Sequence, residues 1–288
     1  PAHDLGFHRD PWGNLYGPLE ALGYTAANLL TLGVYLLETA LPALALVGVF
    51  LLLAPRLPRG VWVLLGWACL PAVANVFYWI SLYLYVPDTM ADWEPGHVLA
   101  ELRSGRYLKD PGLRYNVVLC GRTMEPVTTM GGIRMVPEVL IDDIRPVPDD
   151  VLILPGADTW LDPHQEPVIG TVSRLLDHGT VVAAICGATL GLANAGLLDN
   201  RPHTSNDPAA LKMFCPNYRG EPYYVNEPAV TDDNLITASG LAPVEFAYHV
   251  FRKLEIMTPA TLEAWHGLFT TRKPECFYTL MESLSANR

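Results

Sequence analysis

The segment Thr180-Val-Val-Ala-Ala-Ile-Cys186-Gly-Ala-Thr-Leu-Gly-Leu-Ala-Asn-Ala-Gly196 carries the strongest chemical signal in the sequence. A β-prone apolar run stops at Cys186, and a run of small residues follows at once. Small neighbours permit the sharp strand-to-helix turn of a nucleophile elbow. A sulfur held there lies over a helix N-terminus, whose positive dipole end favours the thiolate. The spacing therefore predicts a nucleophile with a pKa below that of free cysteine, on a helix closed by Gly196. By itself the pattern also fits a buried core cysteine at a strand end.

Two other segments supply groups that such a thiol needs. Val151-Leu-Ile-Leu-Pro-Gly156-Ala157-Asp158 is a buried strand ending in a Pro-Gly turn. Open α/β sheets bind ligands at the carboxyl ends of their strands. Backbone N–H groups of Ala157 and Gly187 at that edge would form an oxyanion hole. In Asp88-Thr-Met-Ala-Asp-Trp-Glu94-Pro95, proline at the first helical position makes Glu94 the N-cap. That carboxyl either stays ionised and exposed as a cap or points inward at Cys186.

The elements that must position these groups follow from the alternation of short apolar strands with amphipathic helices after Tyr85, which predicts a parallel α/β sheet. Strands are predicted at 82–86, 115–120, 151–154, 180–185 and 235–238. Helices are predicted at 95–104, 164–178, 188–195, 243–254, 259–269 and 275–284, and a small hairpin within 124–137 around Gly131-Gly132. His97, His164, His178, His249 and His266 fall on helix surfaces; His97, one turn after Glu94, alone is placed to reach the cleft.

The front of the chain has a different texture. Residues 29–54 contain one charge, Glu38, and residues 61–86 none. Pro55-Arg-Leu-Pro-Arg-Gly60 separates them. About 20 apolar residues span a bilayer, so residues 1–80 read as an apolar helical hairpin crossing a membrane within 24–79. Trp62, Trp67, Tyr78 and Trp79 suit an interfacial aromatic belt.

The net charge of −11 and the lack of a Lys/Arg stripe exclude a nucleic-acid surface. Five widely spaced cysteines without C-x-x-C exclude a disulfide framework or structural zinc site, and no cofactor motif is present.

Asp88-Thr-Met-Ala-Asp-Trp-Glu, Thr129-Met-Gly-Gly-Ile, Leu154-Pro-Gly-Ala-Asp-Thr-Trp, Ala184-Ile-Cys-Gly-Ala-Thr, Gly196-Leu-Leu-Asp-Asn-Arg-Pro-His-Thr-Ser-Asn, Tyr218-Arg-Gly and Thr237-Ala-Ser-Gly-Leu-Ala-Pro-Val-Glu-Phe occur in that order. Over 81–288 the chain resembles the ThiJ/PfpI, or class I glutamine amidotransferase-like, superfamily. The resemblance implies a flavodoxin-like three-layer sandwich, a reactive Cys186 at the elbow, and Glu94 hydrogen-bonded to its sulfur. Many members place a histidine beside the cysteine. Here Asn206 falls at that place and His203 three residues earlier. Either His203 serves as base through an altered loop, or the site has no Cys–His pair. Residues 1–80 resemble, more diffusely, a late segment of bacterial polytopic C-type glycosyltransferases through Leu5-Gly-Phe-His-Arg, Asn28-Leu-Leu-Thr-Leu-Gly-Val-Tyr and Phe77-Tyr-Trp79. The early acidic loop that bears that family's activity is absent, so no activity carries over.

The expectation is thus a cysteine-dependent protein acting on a small carbonyl or amide compound as a hydrolase, hydratase or deglycase. A redox or electrophile sensor working through Cys186 oxidation and a membrane-associated scaffold are the alternatives. Membrane association with the α/β domain in the cytoplasm is expected, although Arg56 and Arg59 place the hairpin loop there instead. Homo-oligomerisation stays open.

Overall fold

The computed structural model describes residues 80–110, 113, 115–145 and 150–285, with backbone at 8–9 and 15–16. The chain divides into two compact units, residues 1–78 and 79–288. In the first, 8–9 and 15–16 pair as short antiparallel strands, His8 opposite Tyr16. The apolar hairpin expected within 24–79 lies outside the described residues. Among the described residues no helix is long and apolar enough to cross a membrane.

The second unit is built on a seven-stranded sheet. Its strands are β1 (Ile80–Tyr85), β2 (Tyr115–Gly121), β5 (Val139–Leu140), β6 (Val151–Leu154), β7 (Val181–Ile185), β8 (Ala229–Asp232) and β9 (Leu235–Ala238). The order is β8-β9-β7-β6-β1-β2-β5, parallel throughout except for the antiparallel edge pair β8–β9. A separate antiparallel hairpin, β3 (Val127–Thr128) with β4 (Arg134–Met135), occupies the predicted place around Gly131-Gly132.

Parallel strands buried on both faces read as continuous apolar runs, and this explains the one seam the sequence hides. The uncharged stretch 61–86 ends in β1, a strand paired on both sides, with Leu82 and Leu84 fully buried on one face and Tyr85 on the other. The apolarity of residues 80–86 belongs to a sheet core.

Alternate residues of the central strands feed two separate cores. Leu82, Leu84, Ile153, Ala183 and Ile236 pack with residues of α1 (Gly96–Ser104), α5 (Pro243–Lys253) and α6 (Pro259–Thr271), and α7 (Pro274–Ser285) adds Leu280. Tyr85, Leu152, Leu154, Val182 and Ala184 pack with α2 (Glu166–Asp177), α3 (Gly187–Asn194) and α4 (Pro208–Phe214). Helices thus cover both faces, giving the three layers of a flavodoxin-like sandwich. Cross-links stiffen the arrangement. Buried Glu101 of α1 accepts two bonds from Arg106, at 2.7 and 2.6 Å, and one from the Trp265 indole of α6 at 3.1 Å.

Element boundaries differ from expectation by a residue or two, and β5, α4 and β8 were not predicted. α4 and the two edge strands are four to seven residues long or shorter, and β8 abuts the polar Asp232-Asp233-Asn234 turn, so none produces a periodic signal.

All seven strands of the main sheet lie at or after Ile80, and 26 of the 30 acidic but 16 of the 19 basic residues lie after residue 80. A fragment spanning 79–288 should therefore be soluble without detergent and melt in one cooperative transition. Calorimetry decides; aggregation of the fragment beside a soluble full-length chain would show that residues 1–78 complete its core.

Candidate active site

Cys186 follows β7 directly and precedes α3, with φ 58° and ψ −124°. A non-glycine residue at positive φ costs about 1–3 kcal/mol. Two anchors hold it there. The Cys186 N–H donates to the Ala238 carbonyl at 3.0 Å, which ties the elbow to β9. The Thr189 hydroxyl donates to the Cys186 carbonyl at 2.6 Å and also meets the Ser205 hydroxyl. The strand-to-helix turn is the elbow expected from the small residues around it.

Glu94 is not a cap. The helix starts one residue later than expected, with Pro95 at the cap position, and no side chain caps it. The Glu94 carboxyl turns inward instead and is 0% exposed. Its Oε2 accepts the Gly156 N–H at 2.5 Å. Its Oε1 makes no hydrogen bond of regular geometry, although it faces the thiol. Burial pushes the carboxyl up to about 7, against the downward pull of the Gly156 N–H and the Cys186 thiol. Glu94 therefore carries its proton below neutral pH and gives it up through about pH 7.

Close backbone approach makes this contact possible. A methyl group on Gly240 would lie 2.7 Å from Cys186 Sγ and 3.0 Å from Glu94 Oε1. One on Gly156 would lie 2.8 Å from both Cys186 Cβ and Glu94 Oε2. No other residue type leaves that space. The Gly240 and Gly156 contributions to the pocket are visible in the sequence only as parts of the quoted segments.

The thiol is pushed up rather than down. Burial is the chief cause, Glu94 adds to it, and the Asn206 amide and the Gly187 N–H oppose it. The lowered pKa expected from the helix terminus is corrected accordingly. The α3 dipole acts on a sulfur already stripped of water, next to a carboxyl.

Asn206, rather than His203, meets the sulfur. Its Nδ2 donates to Sγ at 3.3 Å, while its Oδ1 accepts the Gly240 N–H at 2.8 Å and the Ser239 hydroxyl at 3.4 Å. The Gly240 donor fixes the amide orientation. His203 is fully buried with both ring nitrogens engaged. Nδ1 donates to the Arg201 carbonyl at 2.8 Å, and Nε2 accepts the Tyr218 hydroxyl at 2.7 Å. Burial lowers its pKa, so the ring is neutral and spent on holding Tyr218. Its expected role as base has no atom left to perform it. His97 likewise packs edge-on against Trp265 and Phe269.

The two amides of the expected oxyanion hole adjoin. A methyl on Gly187 would lie 3.2 Å from Ala157 N. Among the described residues the Ala157 N–H donates to no protein acceptor. Asp92 braces the loop that carries Glu94: its Oδ2 accepts the Gly131 N–H at 2.6 Å, and Ala91 N–H reaches the Gly156 carbonyl at 2.9 Å. No group of three or more His, Cys, Asp or Glu able to hold a metal occurs among the described residues.

Two outcomes follow from this geometry. Unfolded, the Glu94 carboxyl loses its proton near the ordinary 4.5; folded, it keeps it to about 7. The folded state then binds the extra proton between those values, so stability falls as pH rises from 4.5 to 7. Glu94→Gln should remove that slope, worth about 3 kcal/mol by pH 8, in denaturant melts across pH; parallel profiles for both proteins would refute the assignment. In alkylation mapping, Cys186 should label ahead of Cys120 and Cys215, both buried with raised pKa values, Cys215 to about 11. Gly240→Ala should slow Cys186 labelling on the order of tenfold or more; unchanged labelling would show that the sulfur is not where the structure places it.

The chain has recognisable relatives. The DJ-1/PfpI family pattern matches residues 80–253. The Bacillus subtilis protein named uncharacterized protease YoaZ is 48% identical over 205 residues, covering 71% of this chain and 98% of its own length. The Caenorhabditis elegans protein named glutathione-independent glyoxalase DJR-1.2 is 29% identical over 141 residues, covering 48% of this chain and 73% of its own. The crystal structure of a thiJ/pfpI family protein from Bacillus anthracis superposes with a TM-score of 0.69 at 47% identity, covering 72% of this chain and 97% of that one. With the elbow at Cys186 and these matches, the chain belongs to the DJ-1/PfpI family.

Proposed function

We propose that this protein is a cysteine-dependent enzyme whose Cys186 adds to the carbonyl carbon of a small aldehyde, with Glu94 as the proton donor. The observation that carries the reading is the pairing at the sulfur: a buried carboxyl that titrates near neutral pH, beside an amide that cannot titrate. Hydrolysis of an amide needs a group that takes a proton from the nucleophile and hands one to the departing nitrogen. Neither Asn206 nor a His203 bound to Tyr218 can do so, which leaves Glu94, among the described residues, as the one titrating group at the sulfur. Carbonyl addition asks for less.

In that step the thiol proton leaves to solvent and the sulfur lone pair forms the C–S bond. The C=O π electrons move to oxygen, in the neighbourhood of the Ala157 and Gly187 N–H groups. Glu94 then gives its proton to that oxygen, and the adduct is a hemithioacetal. With an α-oxoaldehyde the ionised Glu94 next moves the C1 proton to the neighbouring carbon through an enediol, giving a 2-hydroxyacyl thioester. Water hydrolyses it to the 2-hydroxy acid and free thiol, an internal redox change that needs no external oxidant. The relative named a glutathione-independent glyoxalase supports an aldehyde as the substrate class.

A second reading has a specific observation behind it. The Asn206 amide donates to the sulfur and a protonated Glu94 faces it, which suits a sulfenate formed when peroxide oxidises the thiolate and leaves as water. Such a sensor would react once per chain. Attachment to a membrane through 24–79, a cytoplasmic location for the α/β domain and homo-oligomerisation are retained as proposals. Fractionation with and without detergent, and mass measurement in solution, address them.

Incubation with methylglyoxal in the absence of glutathione, with lactate measured, tests the enzyme. Multiple turnovers are expected, abolished in Cys186→Ser and at least about tenfold slower in Glu94→Gln, which cannot release a proton. Turnover that survives Cys186→Ser overturns the proposal. Stoichiometric peroxide oxidation with no aldehyde turnover moves the conclusion to the sensor.

A further inference from the structure

The loops that meet at Cys186 are one-sided in charge. They are residues 87–95, 155–160, 186–190, 202–207 and 239–242, and they contain Asp88, Asp92, Glu94, Asp158 and Asp207 but no lysine or arginine. His203, in the same loops, is neutral. Neighbouring cations are placed elsewhere. The segment after β2, which holds the hairpin braced by Asp92, carries Arg122 and Arg134, matched in number by Glu125 and Glu138, and it starts three strands from the elbow strand β7. Lys212 of α4 is paired with Glu221, and Arg201 with Asp232.

The same loops expose apolar surface. Trp93, the residue before Glu94, is 54% exposed, and Leu241, the residue after Gly240, is 96% exposed. Ile133, in the hairpin braced by Asp92, is 54% exposed. Exposed large apolar residues on loops that converge on one site supply contact area for an apolar group. The groups that favour negative charge, the Gly187 and Ala157 N–H and the start of α3, adjoin the sulfur itself. They favour an oxygen that becomes negative during addition and offer nothing to an anion carried elsewhere on the substrate.

We infer that this site takes uncharged carbonyl compounds bearing an apolar substituent and turns away those bearing a carboxylate or phosphate. The inference rests on the carbonyl reading above for its chemistry, but its selectivity belongs to the cleft and is measurable without turnover. A fixed cluster of acids near a partly desolvated thiol raises the local concentration of neutral over anionic reagents. The effect must fade with salt, because the screening length falls from about 10 Å at 0.1 M to about 3 Å at 1 M.

Iodoacetamide and iodoacetate differ mainly in charge, so the full chain is alkylated with each at pH 8. Cys186 rates are divided by those of a small free thiol. Cys186 should prefer iodoacetamide about tenfold beyond the free thiol at low salt, and the excess should shrink towards unity at 1 M. Asp158→Asn should reduce it without altering the melting temperature. An excess near unity at low salt, or one insensitive to salt, overturns the inference. In turnover assays, phenylglyoxal should exceed methylglyoxal and both should far exceed glyoxylate, with Trp93→Ala and Leu241→Ala narrowing the first gap. Glyoxylate turned over as well as methylglyoxal also overturns it. Absent turnover with all three while the alkylation preference holds removes the carbonyl enzyme and the apolar preference with it, and leaves the selectivity for uncharged reagents standing.

Discussion

A carboxyl buried against a thiol cannot leave both groups charged. Glu94 and Cys186 are brought together by glycines at 156 and 240, whose missing side chains are the space the two groups occupy. Two anions in that space would repel without water to screen them. The pair resolves the conflict by keeping the proton on Glu94 to about pH 7 and by raising the thiol. Much of the local architecture serves that contact. Gly156 donates to one carboxyl oxygen, Asp92 braces the loop behind it, and Asn206 satisfies the sulfur from the other side. The result is a thiol tuned by a single titrating neighbour in place of a histidine.

The sheet supplies the rigidity that this arrangement needs. Cys186 sits at positive φ at the end of a strand flanked on both sides by parallel neighbours, with its N–H bonded to β9. Strain of that kind persists only where the surroundings over-determine it. The Glu94, Ala157 and Cys186 loops follow β1, β6 and β7, which are adjacent in the sheet, so the carboxyl ends of three neighbouring strands deliver the site. The 203–207 segment adds Asn206 through the Thr189–Ser205 contact. His203 anchors that segment by clasping Tyr218.

Sequence patterning reached the central strands and the elbow because each has a strong local signature: an apolar run, a break at small residues. The Glu-Pro junction singled out Glu94 but pointed to a helix cap, and only the family resemblance implied that its carboxyl turns to the sulfur. Patterning could not choose between His203 and Asn206. That choice depends on how a three-residue offset is absorbed by a loop whose only ladder contact is an isolated bridge to Tyr224. It also misjudged the thiol, because a helix terminus is readable from spacing whereas the desolvation that outweighs it requires knowing what covers the sulfur. Short edge elements such as β8 and α4 carry too few residues to show a period. The apolar stretch ending at 86 shows the reverse problem, since a buried parallel strand and the end of a membrane-like run look alike in composition.

The protonation state of Glu94 is the point on which the site's chemistry turns, and infrared spectroscopy observes it without substrate. A protonated carboxylic acid has a carbonyl stretch well separated from that of a carboxylate. In the difference between the wild-type protein and Glu94→Gln, that band should be present at pH 5.5 and disappear with a midpoint near 7. A band already lost near the ordinary 4.5 would mean that Glu94 is ionised beside the sulfur, and the account of the Cys186 pair would be wrong.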